Sequence, residues 1–358
     1  MRLVGEISAY ELIFNFQART SRGTIHTKPT HFVKIYDADH PELFGIGECS
    51  WLEGLSPENP VTYATDLHRF FREMLLSEDK EDFLTNTPEL DAYPSIRFGL
   101  ETAWKDFLQG GKRQIFNTAF VEKEKPIPIN GLIWMGNTSF MLEQIEKKLQ
   151  EGFSCLKLKI GGIDFDDECQ LLQHIRSLSS VTIRLDANGA FSPKDALKKL
   201  QQLAKYEIHS IEQPIKPLQW EEMHQLCRLS PIPIALDEEL IGIMTAEKKA
   251  ELLEKIRPSY LILKPSLMGG VKGSIEWIEL AKKYNIGYWM TSALESNVGL
   301  NAISQFADTL ALNIPQGLGT GQLYRNNIPS PLEVRRGNLY YSKSKTWDFS
   351  AIQYQRLE

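Results

Sequence analysis

The hydrophobic and polar positions along the chain form two successive patterns. In the first, strand-like stretches cover residues 3–14, 30–36 and 43–49. Stretches with helical spacing of apolar residues follow over residues 60–76 and 95–109. A run of strands followed by a run of helices is typical of a small α+β domain, so we predict one in this part of the chain.

The second pattern begins after residue 125 and alternates strand with helix. Short apolar stretches rich in Ile, Leu and Val predict strands at residues 127–133, 155–160, 181–185, 209–212, 233–236 and 260–263. Segments with 3.6-residue periodicity lie between them, for example residues 192–203 and 270–284. Apolar strands that alternate with helices indicate βα units, whose parallel strands are buried on both faces.

Polar or small residues end the predicted strands at a regular interval of 25 to 28 residues. These strand ends are Lys159, Asp186, Glu212, Asp237, Lys264, Ser292 and Gly319. The strand count from residue 127 to residue 321 is about eight, which is enough to close a barrel. Because the carboxyl ends of barrel strands meet at one rim, we expect these side chains to surround a single site.

Lys157 and Lys159 lie two residues apart on one predicted strand, so both ammonium groups point to the same side. Burying an unpaired ammonium group is costly, and Asp186, Glu212 and Asp237 from the next three strands provide the anions. Three clustered carboxylates in turn need a cation. Oxygen-only ligands favour Mg²⁺, with Mn²⁺ as the alternative. The other interpretation is a set of structural salt bridges between the carboxylates and the lysines.

Composition and charge exclude several classes of protein. The chain has 358 residues, 42% of them hydrophobic, and a net charge of −6 without a basic cluster, so we predict no nucleic-acid partner. No apolar run approaches the 18 or so residues that span a bilayer, and the first residues do not resemble a signal peptide. We therefore expect a cytoplasmic protein that does not bind membranes, with an oligomeric state that the sequence leaves open.

In this order and spacing, the strand-end motifs resemble those of the enolase superfamily, muconate-lactonizing subgroup. The motifs are Lys157-Leu-Lys159, Asp186-Ala-Asn188, Glu212-Gln-Pro214, Asp237-Glu238, Lys264-Pro265 and, near the N-terminus, Gly45-Ile-Gly-Glu48. The resemblance covers essentially the whole chain. It implies an α/β fold with a (β/α)7β TIM-like barrel over residues 114–322. It also implies an α+β capping domain over residues 1–113, to which residues 323–358, including the strand-like 339–341, return.

Within the subgroup, three features resemble the o-succinylbenzoate synthase family. They are Arg184 two residues before Asp186, the stretch Thr291-Ser-Ala-Leu-Glu-Ser296, and Gly317-Leu-Gly-Thr-Gly321 at the eighth strand end, where dipeptide epimerases carry an Asp-x-Asp pair. The resemblance implies a small-molecule carboxylate substrate. It also implies Mg²⁺-dependent syn dehydration of 2-succinyl-6-hydroxy-2,4-cyclohexadiene-1-carboxylate to o-succinylbenzoate, a step of menaquinone biosynthesis. The alternatives are an N-acylamino acid racemase, a dipeptide epimerase, a muconate cycloisomerase, or a barrel that has lost catalysis.

The resemblance also implies roles for individual residues. Lys159 is expected to be the acid–base group and Lys264 a cation on the opposite side of the barrel, with Asp186, Glu212 and Asp237 as metal ligands. Further residues are candidates for contacts with the substrate or around the metal: Lys157, Arg184, Asn188, Glu238, Glu239, Ser266, Ser292, Gly319, Arg19 and Arg22. Arg19 and Arg22 are included because guanidinium groups pair well with a dicarboxylate, the alternative being a solvated hairpin tip.

Overall fold

The computed structural model describes residues 2–20 and 23–357, apart from the side chains of residues 19 and 20. The strands are β1 Leu3–Thr20, β2 Gly23–Asp37, β3 His40–Cys49, β4 Ile127–Pro128, β5 Gly131–Ile133, β6 Cys155–Lys159, β7 Thr182–Asp186, β8 Ile208–Glu212, β9 Ile234–Leu236, β10 Tyr260–Leu263, β11 Gly287–Met290, β12 Leu332–Arg335, β13 Asn338–Tyr341 and β14 Gln355–Arg356. The helices are α1 Tyr63–Leu76, α2 Lys80–Asn86, α3 Pro94–Leu108, α4 Ala119–Glu122, α5 Thr138–Gln150, α6 Phe165–Leu178, α7 Pro193–Leu203, α8 Trp220–Leu229, α9 Ala246–Ile256, α10 Gly270–Lys283 and α11 Asn297–Thr309.

The first three strands and β14 form an antiparallel sheet in the order β14-β1-β2-β3, and α1 to α3 pack against it. We call this unit the capping domain. Its strands contain the three predicted at residues 3–14, 30–36 and 43–49, and α1 and α3 match the two predicted helices within three residues. The α+β architecture predicted for this part of the chain is therefore confirmed.

Two glycines of β3 allow α3 to pack directly against the sheet. A Cβ atom at Gly45 would lie 2.1 Å from the carbonyl oxygen of Ala103, and one at Gly47 would lie 1.9 Å from that of Gly99. Both distances are too short for any side chain, so only glycine fits at these positions. The close approach brings the next residue, Glu48, to the boundary between the capping domain and the barrel, where it is fully buried.

The second pattern folds into a barrel of parallel strands. Strands β5 to β11 hydrogen bond in sequence order, and Gln316 and Gly317 close the circle between the two ends. Asn130 N–H donates to the Gln316 carbonyl at 3.0 Å, and Gly317 N–H donates to the Met290 carbonyl at 2.8 Å. The barrel thus has eight strands, as predicted, and its apolar core is continuous with residues from the surrounding helices.

The predicted strand at residues 127–133 is interrupted. β4 pairs with β13, β5 joins the barrel, and Ile129 between them bridges to Gln316. The expectation that residues 339–341 return to the capping domain is wrong. They belong to β13, which forms a hairpin with β12 and packs Leu339 and Tyr341 into the barrel core, because β4 offers it an unpaired edge.

The return to the capping domain occurs later in the chain. Ile352 is buried with Phe32 and Ile46 of the capping sheet, and β14 pairs with β1. The exact domain limits at residues 113, 114, 322 and 323 remain a prediction. Among the described residues, every helix is too short or too polar to cross a membrane.

Candidate active site

The polar residues at the strand ends lie next to one another on the barrel. The strand register places Lys159 beside Asp186, and Asp186 beside Glu212. Asp237 follows β9 and Lys264 follows β10 directly. The two lysines come from the second and sixth of the eight strands, so they approach the row of carboxylates from opposite sides of the barrel.

Each carboxylate of the row is paired with a lysine. Lys157 Nζ lies 3.1 Å from Asp186 Oδ2 and also contacts Glu212 Oε2. Lys159 Nζ lies 3.1 Å from the same Asp186 oxygen. Lys264 Nζ lies 2.5 Å from Asp237 Oδ2. The predicted proximity of lysines and carboxylates is thus present in the structure, and all of these side chains except Lys159 are almost fully buried.

The charges of this cluster perturb its protonation equilibria. Burial raises the pKa of Glu212 to about 7, with the carboxylates of Asp186 and Asp237 acting in the same direction. Although burial opposes it, the ammonium groups of Lys157 and Lys159 hold the pKa of Asp186 below its usual value. Burial likewise opposes a charge on Lys264, but Asp237 raises the pKa of that lysine. Opposite shifts in adjacent carboxylates indicate a crowded, strongly coupled site.

The donor atoms of the three carboxylates fit a hard cation. One oxygen each of Glu212 (Oε1) and Asp237 (Oδ1) is buried without a hydrogen-bond partner among the described residues. Buried carboxylate oxygens of this kind are suitable ligands for Mg²⁺. Within residues 2–20 and 23–357, however, no three His, Cys, Asp or Glu side chains form a ready metal-binding group. In this arrangement the ammonium groups of Lys157 and Lys264 balance the negative charge instead.

Asn188 connects Lys159 to the next layer of the site. Its Oδ1 accepts a hydrogen bond from Lys159 Nζ at 2.9 Å, and its Nδ2 donates to Glu238 Oε1 at 2.9 Å. The residue has a φ of 42°, in the left-handed region that asparagine tolerates better than most residues. Asn188 and Glu238 therefore hold the amine of Lys159 in a fixed direction.

A cavity of about 700 Å³ lies between the barrel rim and the capping domain. The barrel contributes Lys157, Lys159, Asp186, Asn188, Glu238, Lys264, Ser292, Gly317 and Gly319, and the capping domain contributes Phe16, Lys28 and Leu52, among others. A Cβ atom at Gly319 would have its nearest neighbours at 3.6 Å, so this position opens directly into the cavity. The space is large enough for a substrate the size of a substituted cyclohexadiene.

Other candidates from the sequence point elsewhere. The hydroxyl groups of Ser266 and Ser292 both donate hydrogen bonds to the buried carboxylate of Glu295. Of these two serines, only Ser292 borders the cavity. Arg184 is fully buried in the barrel, where its guanidinium lies 3.9 Å from the ring centroid of Trp289 and donates to the Pro315 carbonyl at 2.8 Å. It forms part of the barrel interior and does not border the cavity.

Arg19 and Arg22 were predicted to bind a dicarboxylate. Arg22 and the side chain of Arg19 lie outside the described residues. The backbone of Arg19 belongs to β1, where it pairs with Thr24 of β2.

Two buried polar residues near the site were not singled out from the sequence. Gln213 follows Glu212 directly, and its Oε1 accepts the backbone N–H groups of Asp237 at 3.3 Å and Glu239 at 3.2 Å. Its Nε2 donates to Glu239 Oε2 at 3.0 Å, which ties the ends of β8 and β9 together. Its position next to a predicted ligand was the available signal. The second residue is Lys28, which no motif or spacing marked.

The comparisons with known proteins agree with this architecture. A family model described as enolase C-terminal domain-like matches residues 141–344. An o-succinylbenzoate synthase from Desulfotalea psychrophila is 49% identical, over 92% of this chain and 96% of the relative. The crystal structure of MenC from the same organism has a TM-score of 0.82 at 43% identity, covering 95% of this chain and all of that one. An L-Ala-D/L-Glu epimerase from Bacillus subtilis is 22% identical, over 81% of this chain and 80% of its own length.

Proposed function

Because the chain belongs to the o-succinylbenzoate synthase family of the enolase superfamily, we propose that it catalyses the reaction for which that family is named. The reaction is the dehydration of 2-succinyl-6-hydroxy-2,4-cyclohexadiene-1-carboxylate to o-succinylbenzoate, and menaquinone biosynthesis is its proposed context. The observation that most directly supports this proposal is that Lys159 and Lys264 approach one row of buried carboxylates from opposite sides of the same cavity.

Asp186, Glu212 and Asp237 are the proposed ligands of Mg²⁺, and the unpaired oxygens of Glu212 and Asp237 support this assignment. When bound, the ion supplies positive charge that makes the carbon next to a carboxylate more acidic. Gln213 holds the backbone of Asp237 in place, and the rest of the carboxylate row is held by the hydrogen bonds of the strands.

Lys159, as a neutral amine, takes the proton from the ring carbon that bears the carboxylate. The electron pair of the broken C–H bond enters the ring, and the C–O bond to the hydroxyl group breaks. The ammonium of Lys159 then returns the proton to the departing hydroxyl, which leaves as water. One residue thus serves both steps from one side of the ring, which corresponds to a syn elimination. The hydrogen bond to Asn188 directs the amine throughout.

Lys264 lies on the other side of the carboxylate row and remains a cation. An ammonium group facing an electron-rich ring is a favourable cation–π contact, and its charge opposes the negative charge that develops when the proton is removed. The pairing with Asp237 keeps it charged.

The proposal is tested by a steady-state assay of the pure protein with Mg²⁺ and the cyclohexadiene substrate, followed by the change in absorbance as the aromatic product forms. We expect kcat/KM of about 10⁴ M⁻¹ s⁻¹ or more, the range of natural enzymes on their own substrates. Efficient turnover of dipeptides or muconate, with only trace conversion of the cyclohexadiene compound, would refute the assignment.

A second activity is supported by the same two lysines. A racemase needs a base on one side of a carbon and a proton donor on the other, and a neutral Lys159 opposite a charged Lys264 provides this arrangement. Racemisation of N-succinylamino acids would therefore use the same site without any additional residue. The assay should include such a compound, with loss of optical rotation as the readout. A rate comparable to that of dehydration would identify a bifunctional enzyme.

A further inference from the structure

Lys28 is a buried cation that borders the active-site cavity from the capping domain. It lies on β2, its side chain is about 1% exposed, and its ammonium group donates a hydrogen bond to Ser50 Oγ. An ammonium group has three N–H donors, and the described residues provide no acceptor for the other two. Placing such a group next to a cavity without an anionic contact is costly, which calls for an explanation.

The other lysines buried around the cavity differ from Lys28 in this respect. Lys157 and Lys264 each contact a carboxylate directly. Despite the opposing effect of burial, those carboxylates raise the pKa of both lysines, whereas burial lowers the pKa of Lys28. Within the described part of the chain, Lys28 has no carboxylate oxygen within 4 Å. It is therefore a cation whose direct anionic partner is missing.

Two carboxylates face Lys28 from a greater distance, but their oxygens are already engaged. Glu48 accepts four hydrogen bonds, from the Thr30 hydroxyl, the Ser296 N–H and hydroxyl, and the Gly299 N–H. Glu295 accepts hydrogen bonds from the hydroxyl groups of Ser266 and Ser292. Their negative charges make the buried ammonium tolerable, yet neither occupies its free donors.

Building on the proposed function, we propose that Lys28 binds the second carboxylate of a dicarboxylate substrate, the one at the end of the succinyl arm. The barrel rim and the capping domain form opposite walls of the cavity. A substrate whose ring carboxylate is held at the carboxylate row therefore extends its arm towards the capping domain. Among the other charged side chains of the cavity outside the rim, Glu53, Glu143 and Lys147 are exposed, so water screens their charges. Lys148 is half-buried, but its ammonium group already lies 2.6 Å from Glu151 Oε2.

The assignment explains how the site selects its substrate class. An acyl arm that ends in a carboxylate supplies the missing acceptor, and an arm that ends in a methyl group leaves the ammonium unsatisfied. A buried donor left without its partner discriminates strongly between two ligands of similar shape. The same contact would serve N-succinylamino acids, whose arm ends in the same group.

The experiment compares two ligands of the Mg²⁺-loaded protein by titration calorimetry. One is o-succinylbenzoate, and the other is 2-butanoylbenzoate, which has a methyl group in place of the distal carboxylate. We expect the wild type to prefer o-succinylbenzoate by about tenfold or more, the usual effect of one hydrogen bond to a charged group. Lys28→Met should abolish the preference while changing the affinity for 2-butanoylbenzoate by less than about twofold. Lys28→Arg, which keeps the charge, should retain most of the preference for o-succinylbenzoate.

The outcomes separate a ligand contact from a structural role. If Lys28→Met weakens both ligands equally, the lysine only maintains the shape of the site and the proposal is wrong. The proposal also fails if that variant keeps the wild-type preference. It fails without any variant if the wild type itself binds o-succinylbenzoate and 2-butanoylbenzoate equally well. Lys28→Gln replaces Lys28→Met if the latter does not fold, and the exposed Lys248→Met on α9 is the matched control. A Lys28-dependent preference without turnover of the cyclohexadiene would refute the proposed reaction but support the subsite.

Discussion

The side-chain oxygen of Asn188 lies 2.9 Å from Nζ of Lys159 and accepts its hydrogen bond. Asn188 is itself held by Glu238, and its left-handed backbone places it above the end of β7. The direction of the Lys159 amine is therefore set by neighbours that belong to two different strand ends. This arrangement supports the proposed role of Lys159 as a positioned acid–base group rather than a mobile counter-ion of Asp186.

Lys159→Ala should reduce turnover by about 100- to 10,000-fold, the range for a positioned acid–base group. The fold should remain, because the side chain lies at the open end of the barrel. Turnover, solvent deuterium exchange at the substrate and thermal unfolding would be measured together. Lys248→Ala on the surface of α9 is the control. Substantial deuterium exchange in Lys159→Ala would assign the base to another residue.

The three carboxylates should each be needed for Mg²⁺ affinity. Asp186→Asn, Glu212→Gln and Asp237→Asn preserve side-chain size but remove a charged ligand, so each should weaken Mg²⁺ binding by at least about tenfold. Calorimetric titration of the metal-free protein with Mg²⁺ measures this affinity directly. Glu251→Gln on α9 is the matched surface control. Activity that persists after exhaustive chelation would contradict a metal-dependent reaction.

Gly319→Asp should impair turnover more than it impairs Mg²⁺ binding. The backbone at Gly319 has a φ of −88°, which any residue adopts, and its Cβ position opens into the cavity. An added carboxylate would therefore fit but repel the anionic arm of the substrate. Gly319→Asn is nearly the same size without the charge, and comparing KM of the two variants separates repulsion from bulk. Equal values of KM for the two variants would exclude an electrostatic effect.

Glu101 should make the stability of the protein depend on pH. The carboxylate accepts the N–H groups of Val271 and Lys272 at the start of α10, and burial raises its pKa from 4.5 to about 7. Between these values the unfolded chain has lost the proton that the native protein retains, so the free energy of unfolding falls as pH rises. The contribution is at most about 1.4 kcal/mol per pH unit.

Glu101→Gln keeps an acceptor for the helix and removes the titration. Relative to the wild type, this variant should gain stability between pH 5 and pH 8 in urea unfolding at constant Mg²⁺. Glu251→Gln, on the exposed face of α9, should follow the wild type throughout. Parallel pH profiles of wild type and Glu101→Gln would show that Glu101 does not titrate in this window.

The barrel and its rim could be predicted because their chemistry repeats along the chain. Buried parallel strands are apolar on both faces, so a charged residue at a strand end stands out, and its spacing reports one βα unit. Lys159, Asp186 and Glu212 were identified in this way, and the strand register places them side by side. Gly45 and Gly47 were recognised only as part of a motif. The sequence did not show that glycine is needed at these positions because α3 packs directly against them.

Contacts between distant segments could not be predicted in the same way. The hairpin of β12 and β13 appears as two short strands in the sequence, and only the edge of β4 decides where they pack. Alternation along β2 indicates which face a residue occupies, but not that Lys28 meets a cavity formed with the barrel. Ser266 was predicted to contact a substrate. Its hydrogen bond to Glu295 could not be predicted, because Glu295 lies 29 residues further along the chain.

The pairing of β14 with β1 and the burial of Ile352 beside Phe32 and Ile46 bear on how the protein is made. Strands β1 to β3 of the capping sheet are synthesised before the barrel, yet residues 352–356, which follow the barrel, are needed to complete the sheet. Until they are synthesised, β1 presents an open strand edge, and apolar side chains of the sheet lack their cover. During translation the barrel should therefore become stable before the capping domain is complete, and the nascent N-terminal strands are where chaperone binding or aggregation is expected.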